Sequence, residues 1–473
     1  MRKGENTMKE KKQIRAPHVF VLIMIMIICA TALTYILPAG TYNRYVDETT
    51  GTTLVEDGSY QQIEQTPVDP FKMLQAIPNG LVDATSIVSL VLMYGGAFGI
   101  INSTRVIECG IASSIEKMRR FSVLILPVIM ILFSLMGAML GISESCYAFI
   151  PLCIMLAKAM DYDAIVGFAI VMLANMIGFT AGPMNMYTTG IAQQIAELPL
   201  FSGIGVRIAV YILLMAITIM YVLWYGARIK KDPTRSLMYN ANAAEKEETI
   251  ESKYSAADFT PRKKLTMAAL LLGFCGLIFG IVGLGWWEGS TIGGYLLGMS
   301  IVVAAVDGKK PNEIAQGFVD GAKGVLMGAL MVGFARAIIL ILTEGNVIDT
   351  VLFYASQIIS RTSSSVAAAV IYVFTFFFNF LVPSGSGKAA IVMPLIVPMA
   401  DMAEITRQTS VLAYQLGDGP TNLFWPTAAM APLAMGNIPY SKWFKWYLPL
   451  TIVIFVVSII ITVVCAQMGY GPF

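Results

Sequence analysis

The sequence predicts an all-α polytopic membrane protein of two inverted repeats, with about nine transmembrane helices, two re-entrant hairpins and helices broken at the midplane. Three observations predict this class. The chain is 56% hydrophobic and 13% charged, whereas a soluble domain carries about 25% charged residues. Apolar runs such as 18–37, 265–287 and 443–465 approach or exceed the roughly 20 residues of a spanning helix. Short motifs also recur in the same order in the two halves of the chain.

Basic residues predict the orientation of these spans. The tail 1–17 carries six Lys or Arg, and the segment 228–264 carries nine, so both are expected in the cytoplasm. Arg44 is the only basic residue between 40 and 70, which predicts an outside loop. The sequence therefore predicts a protein of the bacterial cytoplasmic membrane, with its N-terminus inside and its C-terminus outside.

The same charge pattern divides the chain into four parts. They are the tail 1–17, a first transmembrane half 18–227, the cytoplasmic linker 228–264 and a second transmembrane half 265–473. An even number of crossings must precede the linker, so one segment of the first half must enter and leave on the same side. We expect one re-entrant hairpin near 121–158 and its counterpart near 364–400.

Five short matches define the repeat. Gly80–Asp83 matches Gly317–Asp320, 140–145 matches 381–386, 151–152 matches 394–395, 182–185 matches 419–422, and 198–199 matches 438–439. The charge pattern predicts that the first and second copies run in opposite directions. Carriers built this way bind their substrates near the midplane, where the repeats meet.

Four interruptions of the apolar runs are the candidate site. Two are the predicted hairpin tips, where Gly and Ser permit a tight reversal and the next helix presents free amides to an anion. The other two are Gly-Pro breaks, whose freed carbonyls can coordinate a cation. A single break of this kind is as well explained as a loop or a packing notch, but four breaks paired by the repeat favour function. The candidate substrate-binding residues are Ser143, Glu144, Ser145, Asn185, Ser384, Gly385, Ser386, Lys388, Asp418, Thr421 and Asn422, and the helix-break residues are Gly182, Pro183, Gly419 and Pro420.

Charged residues at membrane depth are costly and usually face a cavity or a partner. Asp418 lies in a break and is the strongest candidate for a substrate amine, a sodium ion or a proton. Lys388 follows the second tip and would pair with an acid or hold a carboxylate, while Glu144 is either a ligand or a helix-capping acid. Arg336 is as consistent with a structural ion pair as with a substrate-binding role. For Asp83 and its repeat counterpart Asp320 we expect an interfacial structural role.

Enzymatic and metal chemistry are not indicated. The chain has one histidine and no Cys-x-x-Cys, Gly-x-Ser-x-Gly or His-Glu-x-x-His motif. Ser386 and Lys388 are two residues apart on one helix, so they would not face each other as a catalytic pair. We predict no enzyme activity and no cofactor; a Na⁺ site near the tips and breaks, or a coupling proton, stays open. A channel is a distant alternative, because inverted repeats with broken helices favour a carrier.

With Ile36–Gly40, these tips and Gly-Pro-x-Asn breaks resemble the four-carbon dicarboxylate anaerobic carrier (DcuC-like) family, in particular its YfcC branch, within the ion transporter superfamily. The resemblance covers nearly the whole chain and implies elevator-like alternating access and a homodimer. More distantly the design is similar to the divalent anion–sodium symporters, but neither tip reads Ser-Asn-Thr, so their ion and dicarboxylate sites are not carried over.

The resemblance leaves two substrate classes. The family name implies dicarboxylates such as succinate, malate or fumarate, coupled to Na⁺ or H⁺, whereas members of the branch are described as basic amino acid antiporters that exchange arginine for ornithine. Glu144 and Asp418 place two acids beside the predicted site, which favours a substrate with a cationic side chain. We therefore expect a secondary transporter that exchanges basic amino acids, whose partners are a small-molecule substrate and the lipid bilayer, with no nucleic acid.

Overall fold

The computed structural model describes residues 19–46, 53–56, 58–141, 143–239, 258–286, 288–359 and 362–471. The predicted tail 1–17 lies outside these ranges, as do residues 240–257 of the predicted linker 228–264. On either side of that gap, one helix ends at Lys231 and the next begins at Pro261, so helical structure extends a few residues into both ends of the predicted linker.

The first half is almost entirely helical. Its helices are α1 (Val19–Ile36), α2 (Pro70–Asp83), α3 (Thr85–Ser103), α4 (Val106–Leu135), α5 (Ile150–Ala159), α6 (Ala164–Phe168), α7 (Ala174–Ala181), α8 (Ile191–Ile195) and α9 (Ile204–Lys231). Between them lie π-helical turns at Met136–Leu140, Ala169–Leu173 and Met186–Gly190, and 3₁₀ turns at Glu144–Phe149 and Pro233–Arg235. π-Helical turns inside helices are frequent at functional sites, and two of these three adjoin a predicted tip or break.

The second half is also almost entirely helical, with fewer irregular turns among its described residues. Its helices are α10 (Pro261–Gly283), α11 (Gly289–Asp307), α12 (Pro311–Glu344), α13 (Ile348–Ile359), α14 (Ser364–Phe378), α15 (Gly385–Met402), α16 (Arg407–Leu416), α17 (Thr421–Phe424), α18 (Pro426–Met435) and α19 (Tyr440–Gln467). Within the described residues, seven helices are long and apolar enough to cross a membrane. The chain is therefore an all-α, multi-pass membrane protein. Nine crossings, which would add α1 and the broken segment 407–435, stay a prediction.

The loop predicted to lie outside forms two small antiparallel pairs. β1 (Gly40–Thr41) pairs with β4 (Gln61–Gln62), and β2 (Arg44–Val46) pairs with β3 (Thr53–Val55). Arg44, the lone basic residue of this loop, donates to both carboxylate oxygens of the nearly buried Asp349 in α13, at 2.7 and 2.9 Å. This bidentate contact fixes the loop to the second half.

Two antiparallel helical rods form the centre of the fold. One is α2 followed directly by α3, and the other is α12. They touch through glycines, since a Cβ at Gly321 would lie 2.6 Å from Gly99 Cα and would overlap the carbonyl of Gly95. Small residues allow such close backbone contact between membrane helices. The rods thus bring Gly80–Asp83 and the second copy of that motif onto oppositely directed helices, the arrangement an inverted repeat requires.

This contact predicts that Gly321→Ala destabilises the protein, by about 1–3 kcal/mol, because the added methyl group meets backbone that cannot move aside. Gly324→Ala on the same helix is the matched control, since nothing lies within 4 Å of its Cβ position. The two variants should be compared by melting temperature in detergent. Equal melting temperatures would mean that the rods are not packed through Gly321.

Each predicted hairpin corresponds to a helix, a break and a second helix. In the second half α13, α14 and α15 are separate, and the predicted tip lies where the break at 379–384 meets the start of α15. In the first half α4 runs from Val106 to Leu135 without interruption, so the first hairpin arm is the C-terminal part of a longer helix. No Gly or Pro lies between Gly110 and Pro127 to end the helix. Re-entry of these segments into the membrane stays a prediction.

The two Gly-Pro breaks cross each other. α7 ends at Ala181, and Gly182 follows with a left-handed φ of 41°, a conformation that glycine adopts without strain. A Cβ at Gly419 would overlap Thr180 Oγ1 of α7. Across the same crossing Gln415 Nε2 donates to the carbonyl of Phe179 at 2.6 Å. The predicted breaks of the two halves are therefore brought into direct contact.

Candidate functional site

A cavity of about 560 Å³ lies where the tips, the breaks and the central rods meet. This volume is within the range of small-molecule sites. Six of the predicted substrate-binding residues line it: Ser143 and Glu144 of the first tip, Ser384, Gly385 and Ser386 of the second tip, and Asn422 of the second break. The sequence motifs that lie far apart in the chain thus converge on one space.

The second tip is built as a helix N-terminus. Ser384 precedes α15 and its Oγ accepts from Gly387 N at 3.2 Å, which caps the helix. The carbonyl of Gly385 accepts from the Tyr414 hydroxyl. The first amides of a helix have no intrahelical acceptor, and the helix dipole favours an anion there. Gly385 and Ser386 therefore form the anion-attracting side of the cavity.

The first tip is supported by Asn185 of the first break. Asn185 Oδ1 accepts from Tyr187 N at 3.0 Å and from Thr188 N at 3.2 Å, while its Nδ2 donates to Gly137 O at 3.3 Å. A Cβ at Gly141 would overlap the same amide, and Gly141 has a φ of 66°. Asn185 is fully buried and does not line the cavity, so it holds the tip in place.

Lys388 and Asp418 are placed behind the second tip and not on the cavity wall. Both side chains are 0% exposed, and Lys388 Nζ lies 3.1 Å from Asp418 Oδ1. The ammonium also donates to Asn379 Oδ1 at 2.7 Å and lies 5.4 Å from the centre of the Tyr414 ring. Of the two roles considered for Lys388, the structure shows the ion pair.

An amide network joins this pair to the second break. Asn379, directly after α14, donates to Thr421 Oγ1 at 2.7 Å and to Asn422 Oδ1 at 2.8 Å. Asn422 Nδ2 lies 3.4 Å from Asp418 Oδ1. Ser145 and Thr421 are buried and do not line the cavity. The same holds for the break residues Gly182, Pro183, Gly419 and Pro420.

The polar wall residues that were not among the predicted substrate-binding residues are Asp83, Ser86, Tyr147, Tyr187, Arg336 and Thr427. Asp83 Oδ2 accepts from Arg336 Nε, and both side chains are part-exposed on the cavity. Thr427 Oγ1 is buried there with no hydrogen-bond partner among the described residues. Asp83 is the last residue of α2, in agreement with the expected place near a helix end, and α3 begins at Thr85. Asp83 could be found from the sequence because it belongs to the repeated motif, and Arg336 because it is a charged residue within an apolar helix. Thr427 belongs to no motif that would have identified it.

Asp83, Glu144 and Arg336 are the charged side chains of the wall. Two carboxylates and one guanidinium leave the wall with one formal negative charge. Glu144 is exposed, and within the described part of the chain it has no ion pair or hydrogen bond of its own. The cavity can therefore bind a cationic group at Glu144 and a carboxylate at the second tip.

A sodium site at the breaks would need side-chain oxygen atoms that are not already bound to other groups. Asn185 Oδ1 already accepts two backbone N–H groups, and the oxygens Asp418 Oδ1 and Asn379 Oδ1 already surround the Lys388 ammonium. Among the described residues no group of three or more His, Cys, Asp and Glu could hold a metal ion. A sodium ion therefore cannot bind between Asp418 Oδ1 and Asn379 Oδ1 while the Lys388 ammonium occupies that position.

The broken helices, the shared cavity and the apolar spans are typical of a membrane transport protein. The chain belongs to the C4-dicarboxylate anaerobic carrier (DcuC) family, whose sequence model matches residues 16–467. It is 33% identical over 401 residues to the Escherichia coli K12 protein named "Putative basic amino acid antiporter YfcC", covering 82% of this chain and 78% of that one. An uncharacterized Haemophilus influenzae protein is 27% identical over 499 residues, covering 96% and 98%.

Two solved structures are also similar to this chain. They are the Alcanivorax borkumensis YdaH transporter and Neisseria gonorrhoeae MtrF, each with a TM-score of 0.41 and 16% sequence identity. Each match covers 96% of this chain, with 100% of the first structure and 96% of the second.

Proposed function

We propose that this protein is a secondary transporter that exchanges basic amino acids, such as arginine and ornithine, by alternating access. The observation that carries the proposal is the charge of the cavity wall. Asp83, Glu144 and Arg336 leave one negative charge, which complements a substrate with two cationic groups and one carboxylate. The E. coli relative's name supports the same substrate class.

Each substrate group has a defined partner in this scheme. The α-carboxylate binds the free amides of Gly385 and Ser386, assisted by Arg336. The α-ammonium and the side-chain cation bind Glu144 and Asp83 in an order that depends on substrate length. Binding of both kinds of charge would replace the Asp83–Arg336 contact by contacts to the substrate, and the second cationic group would offset the charge of Glu144.

A C4-dicarboxylate is the second candidate, favoured by the family description and by the amides of the second tip. Its two negative charges would enter a wall that already carries one. The lysine that could have offset this charge is bound to Asp418 and is 0% exposed. The electrostatics therefore favour the basic amino acid.

The remaining features follow from the family and the charge pattern. The proposal places the protein in the bacterial cytoplasmic membrane, with its N-terminus and basic linker inside and its C-terminus outside. The part containing the tips and breaks would move against the central rods in an elevator-like step. On the basis of the family resemblance, we also propose that the protein forms a homodimer and has no enzymatic activity.

Glu144→Gln tests the proposal at the level of binding. Losing a charge-assisted contact of about 1.5–3 kcal/mol should weaken arginine and ornithine binding about 10- to 100-fold. Ligand-dependent thermal stabilisation in detergent measures this, and Glu404→Gln, at an exposed turn outside the cavity, is the control. If the purified protein is stabilised by succinate and not by arginine, the dicarboxylate candidate replaces our proposal.

A further inference from the structure

The oxygen atoms around Lys388 are the kind that a carrier uses to bind a coupling cation. Asp418 Oδ1 comes from the second break, and Asn379 Oδ1 comes from the end of the arm that precedes the second tip. Broken helices near the midplane supply sodium ligands in many secondary transporters, and sodium takes hard oxygen ligands. Here the Lys388 ammonium lies between these two oxygens, at 3.1 and 2.7 Å.

A free cation and the ammonium cannot share this position. The space is fully buried, and two like charges at contact distance repel strongly in a low-dielectric interior. Lys388 is also unable to leave for the substrate, since it is 0% exposed and does not line the cavity. Tyr414 lies between the Lys388 ammonium and the second tip, because its ring faces the ammonium and its hydroxyl donates a hydrogen bond to the carbonyl of Gly385.

The repeat provides an independent observation. The tip match pairs Ser145 with Ser386, which places Tyr147 at the position of Lys388, and the break match places Ala181 at the position of Asp418. The first half therefore lacks both charges, whereas the second half has both. A cation and an anion that occur together in one repeat, 3.1 Å apart, behave as one neutral unit.

We infer that Lys388 is a built-in cation that occupies the place of a coupling ion at the second break, so that transport does not depend on sodium. The ammonium holds the arm, the tip and the break together, as a bound ion would. The inference rests on the proposed function only in treating the chain as a carrier and is independent of which substrate is carried.

The test uses melting temperatures of the full-length protein in detergent, in sodium chloride and in choline chloride of equal ionic strength. Wild type should melt at the same temperature in both salts. Lys388→Ala opens a space beside Asp418, whose second oxygen Oδ2 has no partner among the described residues. This variant should melt lower in choline and recover with sodium, in a concentration-dependent and saturating manner. Lithium and potassium chloride show which cation size fits.

Lys388→Ala/Asp418→Asn is the matched control, because it has the same space without the carboxylate and should not respond to sodium. A sodium-dependent rise in the wild-type melting temperature would overturn the inference. The inference would also be overturned if sodium, lithium and potassium all left the melting temperature of Lys388→Ala unchanged. It would be overturned as well if Lys388→Ala stayed unfolded in sodium while the double variant folded.

Transport gives the second readout. The wild-type exchange rate in proteoliposomes should be unchanged when choline replaces sodium on both sides of the membrane. A fall of about tenfold would contradict the inference. If the vesicles exchange no basic amino acid at all, the proposed substrate is wrong, but the melting experiment still decides the role of Lys388.

Discussion

Asp418→Asn should destabilise the protein by about 3–5 kcal/mol, and Lys388→Met should have an effect of the same size. Each substitution leaves the other charge in a fully buried site with no counter-charge. The remaining amide contacts of Asn379 and Asn422 cannot replace the missing charge. The sequence made Asp418 a candidate for a substrate amine, a sodium ion or a proton; its buried pair with Lys388 predicts an effect on stability first.

The double variant Lys388→Met/Asp418→Asn separates the pair from its parts. Removing both charges removes the uncompensated charge as well, so the double variant should melt close to wild type. Melting temperatures of wild type, both single variants and the double variant form the cycle, and the pair should show a coupling energy of about 2 kcal/mol or more. Additive losses would mean that Lys388 and Asp418 do not contact each other in the folded protein.

Asp83→Asn should have the second large effect, a loss of about 10- to 100-fold in affinity for arginine and ornithine. The substitution removes one of the two carboxylates that give the wall its negative charge and leaves Arg336 without its partner. Arg336→Gln should instead weaken binding of every carboxylate-bearing ligand, because it removes the one cationic side chain of the wall.

The repeat offers a matched control for Asp83. Asp320 is its counterpart in the second half, but it is exposed, accepts from Gln316 at 2.8 Å and does not line the cavity. Asp320→Asn should therefore leave affinity unchanged, as measured by equilibrium binding of labelled arginine. Equal losses of arginine affinity in the Asp83 and Asp320 variants would show that the two residues affect binding through the fold and that Asp83 does not contact the substrate.

The fold class and the positions of the tips and breaks could be predicted because they depend on local sequence. Apolar runs, Gly-Ser tips and Gly-Pro breaks determine where helices begin and end. The internal repeat then indicated that the four interruptions belong together. The confirmed all-α membrane fold and the shared cavity of Ser143, Glu144, Ser384 and Ser386 follow from this kind of evidence.

The direction of individual side chains could not be predicted in the same way. Gly385 and Lys388 lie three residues apart on one helix, yet the first faces the cavity and the second is fully buried behind it. That difference depends on which neighbours α15 packs against. The place of Asp83 on the cavity wall depends on packing in the same way, because α3 continues the rod directly after the end of α2.

The measurement that tests the account most directly is counterflow in proteoliposomes. Vesicles loaded with unlabelled ornithine receive labelled arginine outside, with labelled succinate as the parallel ligand and the Glu144→Gln protein as the control. We predict arginine uptake that requires internal ornithine, little succinate uptake, and a strong loss in Glu144→Gln. Succinate uptake without arginine uptake would contradict the account and would make the cavity an anion site.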